Sequence, residues 1–310
     1  MSGQKAAILL LAHGSPDSPA DVPEFMRYIT GGRPLPDSVI QEVSHRYSLI
    51  GKSPLTAITI EQAEGLKNKL SLPVYVGMRN WKPFIAEAVK QMMADGVEQV
   101  IAICLAPQNS STSVGLYRKA LMAELKPGIG LQFVESWHDH PLLVQAFSEK
   151  LEPVWREAGN ELGAPAPVIF TAHSVPMRTI QAGDPYEKQT KETARLVGAK
   201  VVGLGQELQR FAFQSQGMSG GPWLGPTVES VMLELKRQGH AGVVIAPIGF
   251  VCDHVEVLYD VDIGFREFAN EQGLRLWRTE SLNASPTFIG ALARLASTEL
   301  ARAAGIVSLT

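Results

Sequence analysis

Two short strings in this sequence end an apolar run with Ala-His and so present an imidazole where a ligand could reach it. They are LLLAHGSP, which contains His13, and IFTAHSVP, which contains His173. A neutral imidazole binds borderline metals and accepts a proton near neutral pH. If both runs are strands of open α/β sheets, both histidines lie at the edge where such sheets bind ligands. We therefore predict metal-binding or proton-accepting roles, with a purely structural histidine as the alternative for each.

An acidic string, DHVEVLYD, supplies candidate carboxylates at residues 253–260. Read as a helix, it places Glu256 and Asp260 on one face, about 6 Å apart along the axis. Like charges at this spacing favour a raised pKa or a bound cation. Asp253 is expected to cap the start of this helix. The alternative for Glu256 and Asp260 is a solvated acidic face.

Side chains that could hold a flat or anionic ligand occur elsewhere in the chain. Arg46 could bind a carboxylate, with a plain surface position as the alternative. The segment 214–226, QSQGMSGGPWLGP, could approach a ligand closely because of its glycines, and its Trp223 could stack on a flat ring or anchor the core. The segment lacks the Lys-Ser/Thr pair of a phosphate-binding loop. His138 and His140 have no third ligand at metal-site spacing, so we expect them only to cap a loop.

These side chains need a scaffold, and the hydrophobic pattern predicts one of the α/β class. Short apolar runs without alternation are typical of parallel strands covered on both faces. They predict strands at residues 6–12, 74–77, 99–105, 131–134, 168–172, 210–213, 243–247 and 275–277. Amphipathic segments predict helices at residues 83–94, 113–125, 141–158, 186–196, 227–238, 254–270 and 286–304. Strand–helix alternation favours βαβ crossovers and parallel sheets.

An internal echo suggests that the chain consists of two related halves. The two Ala-His strings form one pair, and IAICLAP and VVIAP form a second, each ending in Ala-Pro. Chance similarity between short apolar strings is the alternative. The turn-rich segment 157–167 is a candidate boundary between the halves.

Composition excludes several classes of protein. The 310 residues include 28 basic and 31 acidic side chains, a net charge of −3 without a basic stripe, so no nucleic-acid partner is expected. Cys104 and Cys252 share no short spacing, which argues against a disulfide scaffold, a CxxC redox pair and an iron–sulfur cluster. No apolar run reaches the roughly 18 residues of a spanning helix. With no targeting signal recognised, we expect a cytoplasmic protein.

Taken in order along the chain, these and neighbouring strings resemble those of the ferrochelatases, the enzymes that insert ferrous iron into a porphyrin in heme synthesis. The strings that carry the resemblance are LAHGSP (11–16), RYSLIGKSPL (46–55), GMRNWKPFI (77–85), LAPQNSSTSVGLY (105–117), SWHDHP (136–141), TAHSVP (171–176), GDPY (183–186), FQSQGMSGGPWLGP (213–226) and FVCDHVEVLYDVD (250–262). They cover nearly the whole chain, and TAHS together with DHxExLYD is highly specific.

The resemblance implies a chelatase fold of the α/β class. This fold has two similar Rossmann-like domains, each a parallel sheet flanked by helices, with the porphyrin cleft between them. We expect the domains at residues 1–158 and 166–285. The last predicted helix, 286–304, is expected to pack back on the first domain.

The resemblance also assigns roles to particular residues. It implies that His173 and Glu256 face each other across the macrocycle as metal-binding and catalytic groups, and we expect Asp260 to support Glu256 in catalysis. The residues expected to bind the porphyrin are His13, Arg46, Tyr47, Ser53, Tyr117 and Trp223.

Four positions depart from the pattern of the related short bacterial forms. His13 stands where those forms place a Tyr that approaches the metal. Thr30 replaces an Arg that often contacts a propionate, and Asn80 occupies the place of a His found in some members. Gly264 lacks the outer acidic group that would continue the face of Glu256 and Asp260. We also expect neither a Cys-rich extension nor a membrane tail at residues 306–310.

The expected activity is insertion of Fe²⁺ into a porphyrin with release of two protons, which makes the protein a lyase. His173 is expected to be the first proton acceptor, and Glu256 to attract the cation. Coproporphyrin III is the favoured substrate and protoporphyrin IX the other candidate. We expect a monomer with no tightly bound cofactor, Fe²⁺ and porphyrin as substrates, and heme as product. The alternatives are a cobalt- or iron-inserting chelatase of cobalamin or siroheme synthesis and a non-catalytic heme or porphyrin carrier.

Overall fold

The structure is a computed structural model that describes residues 5–217 and 221–305. Gly220 of the glycine-rich segment lies outside the described residues, as do the C-terminal residues 306–310. None of the helices in the described ranges has the length and apolar character that crossing a bilayer requires.

Within these residues, parallel strands form two four-stranded sheets, as the apolar runs predict. Each predicted strand is present, and its ends differ from the prediction by at most one residue. The strands are β1 (Ala6–Ala12), β2 (Val74–Met78), β3 (Gln99–Cys104), β4 (Gly130–Val134), β5 (Val168–His173), β6 (Gln209–Gln214), β7 (Gly242–Ala246) and β8 (Arg275–Arg278). The two sheets have equivalent strand orders, β2-β1-β3-β4 and β6-β5-β7-β8. This equivalence confirms the prediction of two similar parallel sheets flanked by helices.

Helices connect the strands and cover the sheets. In chain order they are α1 (Val22–Ile29), α2 (Asp37–Ile50), α3 (Leu55–Leu70), α4 (Ile85–Ala94), α5 (Val114–Glu124), α6 (Pro141–Leu162), α7 (Met177–Gln181), α8 (Tyr186–Lys200), α9 (Val228–Arg237), α10 (Val255–Leu258), α11 (Arg266–Glu271) and α12 (Pro286–Ala303). Short 3₁₀ turns occur at Pro19–Asp21 and Gln206–Leu208, and a π-helix occupies Asp260–Phe265.

The central strands owe their unbroken apolar runs to burial on both faces. In β1, every side chain from Ala7 to Leu11 is fully buried. Leu9 and Leu11 belong to one cluster with Ile85 and Val89 of α4. A strand covered on both faces shows no polar–apolar alternation, which is why continuous hydrophobicity predicted these strands correctly.

The chain divides into two compact units. Among the described residues, the first unit comprises β1–β4, α1–α5 and α12, and the second comprises β5–β8 and α6–α11 together with Gln108–Thr112. The division falls before α6 rather than in the turn-rich segment 157–167, because α6 contacts α8, β7 and β8. That segment is therefore the connection from α6 into β5. Helix α12 contacts α3 and β3 within the first unit.

Candidate active site

The strand order explains why one histidine and one carboxylate meet in the second unit. The chain leaves β5 toward β6 on one side and continues to β7 on the other, so the topological switch point lies between β5 and β7. Ligands of open α/β sheets bind beyond the carboxyl ends of the strands at such a point. His173 is the last residue of β5, and Glu256 lies on α10, in the segment that follows β7.

Glu256 lies between two imidazoles. Its Oε1 is 3.4 Å from Nε2 of His173, and its Oε2 is 3.4 Å from Nε2 of His254. The His173 and Glu256 side chains are 35% and 33% exposed, so a ligand can reach both. Nδ1 of His173 makes a short hydrogen bond to the carbonyl of Ser174, and Nδ1 of His254 contacts the carbonyl of Cys252 at 3.0 Å. His173 and Glu256 are thus in direct contact with no room for a ring between them, and the expectation that they face each other across a macrocycle stays a prediction.

His173 and Glu256 each stabilise the charged form of the other. Burial acts to lower the pKa of His173, but the charge and hydrogen bond of Glu256, the Ser174 carbonyl and the charge of Asp260 raise it to about 9. Burial also acts to raise the pKa of Glu256, and the charges and hydrogen bonds of His173 and His254 outweigh it and hold the pKa well below its usual range. At neutral pH His173 is therefore an imidazolium beside a carboxylate. For Glu256, the raised pKa predicted from repulsion by Asp260 is wrong, because the two imidazoles dominate. A bound cation, the other outcome expected of this spacing, stays a prediction.

The predicted helix 254–270 is also wrong as a single element. It is divided into α10, the π-helix Asp260–Phe265 and α11, with Gly264 N donating to the Tyr259 carbonyl at 2.9 Å, a bond that spans five residues. Inserted π turns are frequent at functional sites. The predicted cap at Asp253 is wrong as well, because His254 occupies the N-cap position and no side chain caps α10. The Asp253 carboxylate instead meets Arg278 at 3.3 Å.

The glycine-rich segment begins with two residues that support this carboxylate site. Gln214 is buried; its Nε2 donates to the main-chain carbonyl of Glu256 at 2.8 Å, and its Oε1 accepts from Thr171 Oγ1 at 2.7 Å. The hydroxyl of Ser215 donates a short hydrogen bond to the carboxylate of Asp260. Sequence reasoning identified the glycines of this segment and missed Gln214 and Ser215. It also missed His254, although that residue stands two positions before Glu256 in the quoted string.

Asp260 and Trp223 lie in the same unit as the pair. The charge of Asp260 acts on His173, as described above. Trp223 forms a backbone bridge with Pro176, three residues after His173. Its ring lies so close to Gly217 that a Cβ added there would be 2.7 Å from the indole. A stacking role for Trp223 stays a prediction.

The first unit gathers several predicted porphyrin residues around an aromatic cluster. The ring of Phe25 lies 6.0 Å from that of His13 and 6.4 Å from that of Tyr47, centroid to centroid. Tyr47 is buried, and its hydroxyl is 3.0 Å from Ser15 Oγ. Gly14, at φ +88°, lets this turn form, because a Cβ there would lie 2.7 Å from the main-chain nitrogen of Trp81.

Two contacts of the His13 ring indicate its tautomer. Nδ1 lies 3.0 Å from the carbonyl of Gly14, which can only accept, so Nδ1 carries a proton. Nε2 lies 3.0 Å from Nδ2 of Asn80 and accepts from that amide. His13 is exposed, so its Nε2 lone pair points to a group that a stronger donor or a metal could replace. The sequence reasoning treated Asn80 only as a missing histidine.

Among the described residues of the first unit, four buried donors have no hydrogen-bond partner, and two of them, Ser53 Oγ and Arg79 Nε, lie in the strings that carry the resemblance. A buried polar atom without a partner costs free energy, so such atoms commonly mark the place of a ligand or water. The Arg79 guanidinium lies 5.8 Å from the ring centroid of Tyr117, which is itself buried. Arg79 was missed by sequence reasoning, although it stands in the string GMRNWKPFI.

Arg46 is placed differently from the other predicted porphyrin residues. It lies on α2 with its Nε 3.1 Å from the carboxylate of Glu42, in an exposed i, i+4 ion pair. Such pairs contribute little to stability, so the guanidinium can exchange partners at small cost.

No group of three or more His, Cys, Asp or Glu side chains is arranged to hold a metal ion in the described parts of the chain. His173 and Glu256 nevertheless offer one nitrogen and one oxygen, a donor set that suits Fe²⁺. Two protein ligands leave most coordination positions of a divalent metal to other donors.

Comparisons with known proteins bear on the family and the fold of this chain. The family model of ferrochelatase matches residues 5–300. A ferrochelatase of Acidobacterium capsulatum is 53% identical over 96% of this chain and 96% of its own length. A coproporphyrin III ferrochelatase of a Geobacillus species is 36% identical over 94% of this chain and 97% of its own.

A solved structure supports the fold alone. SirB from Bacillus subtilis with Fe³⁺ has a TM-score of 0.60 and 13% identity, and the similarity covers 97% of this chain and 98% of SirB. The predicted chelatase fold is therefore confirmed, and so is the prediction of an enzyme, a lyase of porphyrin and heme biosynthesis. The chain belongs to the ferrochelatase family.

Proposed function

We propose that this protein inserts Fe²⁺ into coproporphyrin III and releases two protons, with His173 and Glu256 as the catalytic pair. The observation that carries the proposal is the 3.4 Å contact between imidazole and carboxylate at the switch point of the second sheet. Metalation needs a base for the pyrrole protons and a transient ligand for a dication, and these two side chains supply both.

The protonation of the pair suggests how metal and proton are exchanged. His173 carries a proton at neutral pH, so it accepts a pyrrole proton only after losing its own. A dication that approaches Glu256 repels the imidazolium charge and lowers the pKa of His173. Binding of Fe²⁺ therefore favours the neutral imidazole that deprotonation requires. The carboxylate of Glu256 already bears the negative charge that attracts the cation.

Asp260, which is hydrogen-bonded to Ser215, also affects the protonation of the pair. The carboxylate of Asp260 accepts a hydrogen bond from Ser215, and its charge helps to raise the pKa of His173. We propose that Asp260 stabilises the protonated form of His173 after each pyrrole proton is taken up. Charge stabilisation by a fixed neighbouring carboxylate needs no rearrangement during the reaction.

The proposed porphyrin contacts lie on the first unit. Ser53 and Arg79 each bury an unpartnered donor, and a porphyrin propionate is an acceptor that could satisfy such a donor. Arg46, Tyr47, Tyr117 and His13 are proposed to line the ring, and Trp223 of the second unit to stack on it. Coproporphyrin carries more propionates than protoporphyrin, which matches several donors. The Geobacillus relative, named a coproporphyrin III ferrochelatase, agrees with this choice.

The substrate is tested by anaerobic Fe²⁺ insertion into coproporphyrin III, protoporphyrin IX and sirohydrochlorin, assayed side by side. We expect kcat/KM to be highest with coproporphyrin III, because its additional propionates pair with donors that protoporphyrin leaves unsatisfied. A preference for sirohydrochlorin would support a chelatase of the siroheme or cobalamin routes instead. Tight porphyrin or heme binding without any turnover would identify a carrier and contradict the proposal.

Replacement of His13 with alanine is expected to change the absorption spectrum of heme bound to the protein. The Nε2 lone pair of His13 points to the amide of Asn80, which ferric or ferrous iron can displace as a partner. His45→Ala is the matched control, because His45 is an exposed histidine of the same unit. An unchanged spectrum in His13→Ala would show that His13 is not an axial ligand.

We further propose that the protein acts in the cytoplasm as a monomer without a resident cofactor. Sedimentation of the purified protein measures its oligomeric state, and metal analysis after dialysis measures any retained metal. A sedimentation coefficient of a dimer, or stoichiometric metal after dialysis, would contradict the respective part of this proposal.

A further inference from the structure

Arg278, the last residue of β8, binds two aspartates that stand on either side of Glu256 in the sequence. We propose that Arg278 is a positioning residue, whose guanidinium fixes the segment 253–262 so that the Glu256 carboxylate stays beside His173. The role of Glu256 in this inference rests on the proposed function, whereas the fixing of the segment does not.

The contacts of Arg278 have the geometry of a specific clamp. Its Nε lies 2.7 Å from Oδ1 of Asp262, and its Nη2 lies 2.9 Å from Oδ2 of the same carboxylate. Its Nη1 lies 3.3 Å from Oδ1 of Asp253, which also accepts from Ser281 Oγ at 2.8 Å. The Arg278 side chain is only 15% exposed. A two-point guanidinium–carboxylate pair fixes direction as well as distance, which an ammonium group does not.

The segment depends on such a contact because its own helices are too short to be stable. Helix α10 has four residues, and a six-residue π-helix begins two residues after it ends. A single helical turn is marginal in water, since nucleation is costly, and π turns are rarer still. Tertiary contacts must therefore determine the shape of this segment. Gln214 holds it at the Glu256 carbonyl, whereas Arg278 holds it at both ends.

The clamp acts on the distance that the chemistry depends on. Asp253 stands three residues before Glu256, and Asp262 stands six residues after it. If the two ends separate, α10 is free to move, and the 3.4 Å contact between Glu256 and His173 lengthens. A displacement of about 1 Å in a catalytic group can cost about a hundredfold in rate. We therefore expect loss of Arg278 to lower kcat and to leave the KM for porphyrin nearly unchanged.

The test compares Arg278→Lys, Arg278→Gln and the double variant Asp262→Asn/Arg278→Gln with the unmodified protein. Arg278→Lys keeps the charge and loses the two-point geometry, so we expect a normal thermal midpoint and a kcat about ten- to a hundredfold lower. Arg278→Gln leaves two partly buried carboxylates without their cation and should also lower the thermal midpoint. The double variant removes the Arg278–Asp262 charge pair and leaves Asp253 charged, so we expect its midpoint to recover in part and its kcat to stay low.

Arg275→Gln is the matched control. Arg275 belongs to the same strand and also forms an ion pair, but its partner is Glu161 of α6. We expect this variant to keep the kcat of the unmodified protein. Wild-type kcat in Arg278→Lys, or recovery of kcat together with the midpoint in the double variant, would overturn the positioning role.

Amide hydrogen exchange gives a readout that does not depend on turnover. We expect faster exchange of residues 253–262 in Arg278→Gln, unchanged exchange in β5, and neither change in Arg275→Gln. Unchanged exchange in 253–262 would refute the clamp. If the unmodified protein metalates none of the three tetrapyrroles, the proposed function fails, and the exchange result alone then decides whether Arg278 holds the segment.

Discussion

Replacing His173 with alanine is expected to lower the rate of Fe²⁺ insertion about a hundred- to ten-thousandfold while porphyrin still binds. The imidazole is the proposed acceptor of the pyrrole proton, and a positioned general base contributes about that factor. It also supplies the nitrogen of the His173–Glu256 pair, so Glu256 alone would face the cation. Anaerobic insertion kinetics measure the loss, and quenching of protein fluorescence by porphyrin measures the binding that should survive.

His240→Ala is a suitable control for this variant. His240 precedes β7, and because β5 and β7 are parallel, it lies at the edge of the sheet opposite to His173. We expect it to insert iron at the rate of the unmodified protein. Near-normal turnover in His173→Ala would remove His173 from the reaction, whereas an equal loss of porphyrin binding would indicate a collapsed site.

The sheets could be predicted from the sequence because burial on both faces leaves a simple mark. Runs such as Ala6–Ala12 contain only apolar residues, and parallel strands admit little else. Helices α1 to α3, which precede β2, were missed, and α2 and α3 show no comparable apolar pattern. Helix α2 buries only Tyr47, and α3 buries polar Thr59 and Gln62 within its packed face. Apolar residues therefore recur too irregularly along α2 and α3 to predict a helix.

The candidate site was predictable in its residue types and not in its electrostatics. The strings identified His173 and Glu256, and the strand order brings them together. The pattern could not show that His254 turns toward the same carboxylate, because that depends on extended backbone at the start of α10. It also could not show the π-helix, whose bond to Tyr259 comes from tertiary context rather than from helix propensity. His254 adds to His173 in lowering the pKa of Glu256, the reverse of the predicted direction.

The same pair has opposite effects on stability and on catalysis as the pH changes. The pKa of His173 is raised from 6.5 to about 9, so its contribution to folding is complete below about 6.5 and lost as the pH rises through about 9. The pKa of Glu256 is lowered from 4.5, so its contribution is present above that value and lost as the pH falls below it. The folded protein is thus most stabilised with an imidazolium, the form that cannot accept a pyrrole proton. This conflict is typical of functional sites.

The pH profile of kcat/KM should therefore rise with pH. Below about 9, only the fraction of free enzyme with neutral His173 is competent, so we expect about a tenfold increase per pH unit between pH 6.5 and 8.5 and a plateau near 9. Glu256→Gln removes the main charge that raises this pKa. In this variant the midpoint should fall toward 6.5, and the remaining activity should be flat above pH 7.5.

Glu161→Gln provides the control for that profile, because it removes an exposed carboxylate of the same unit that pairs with Arg275 and not with His173. The midpoint of its pH profile should equal that of the unmodified protein. A flat profile between pH 7 and 9 in the unmodified protein would mean that His173 is already neutral when the porphyrin is metalated. In that case the cation would have no proton of His173 to displace, and His173 could accept the first pyrrole proton directly.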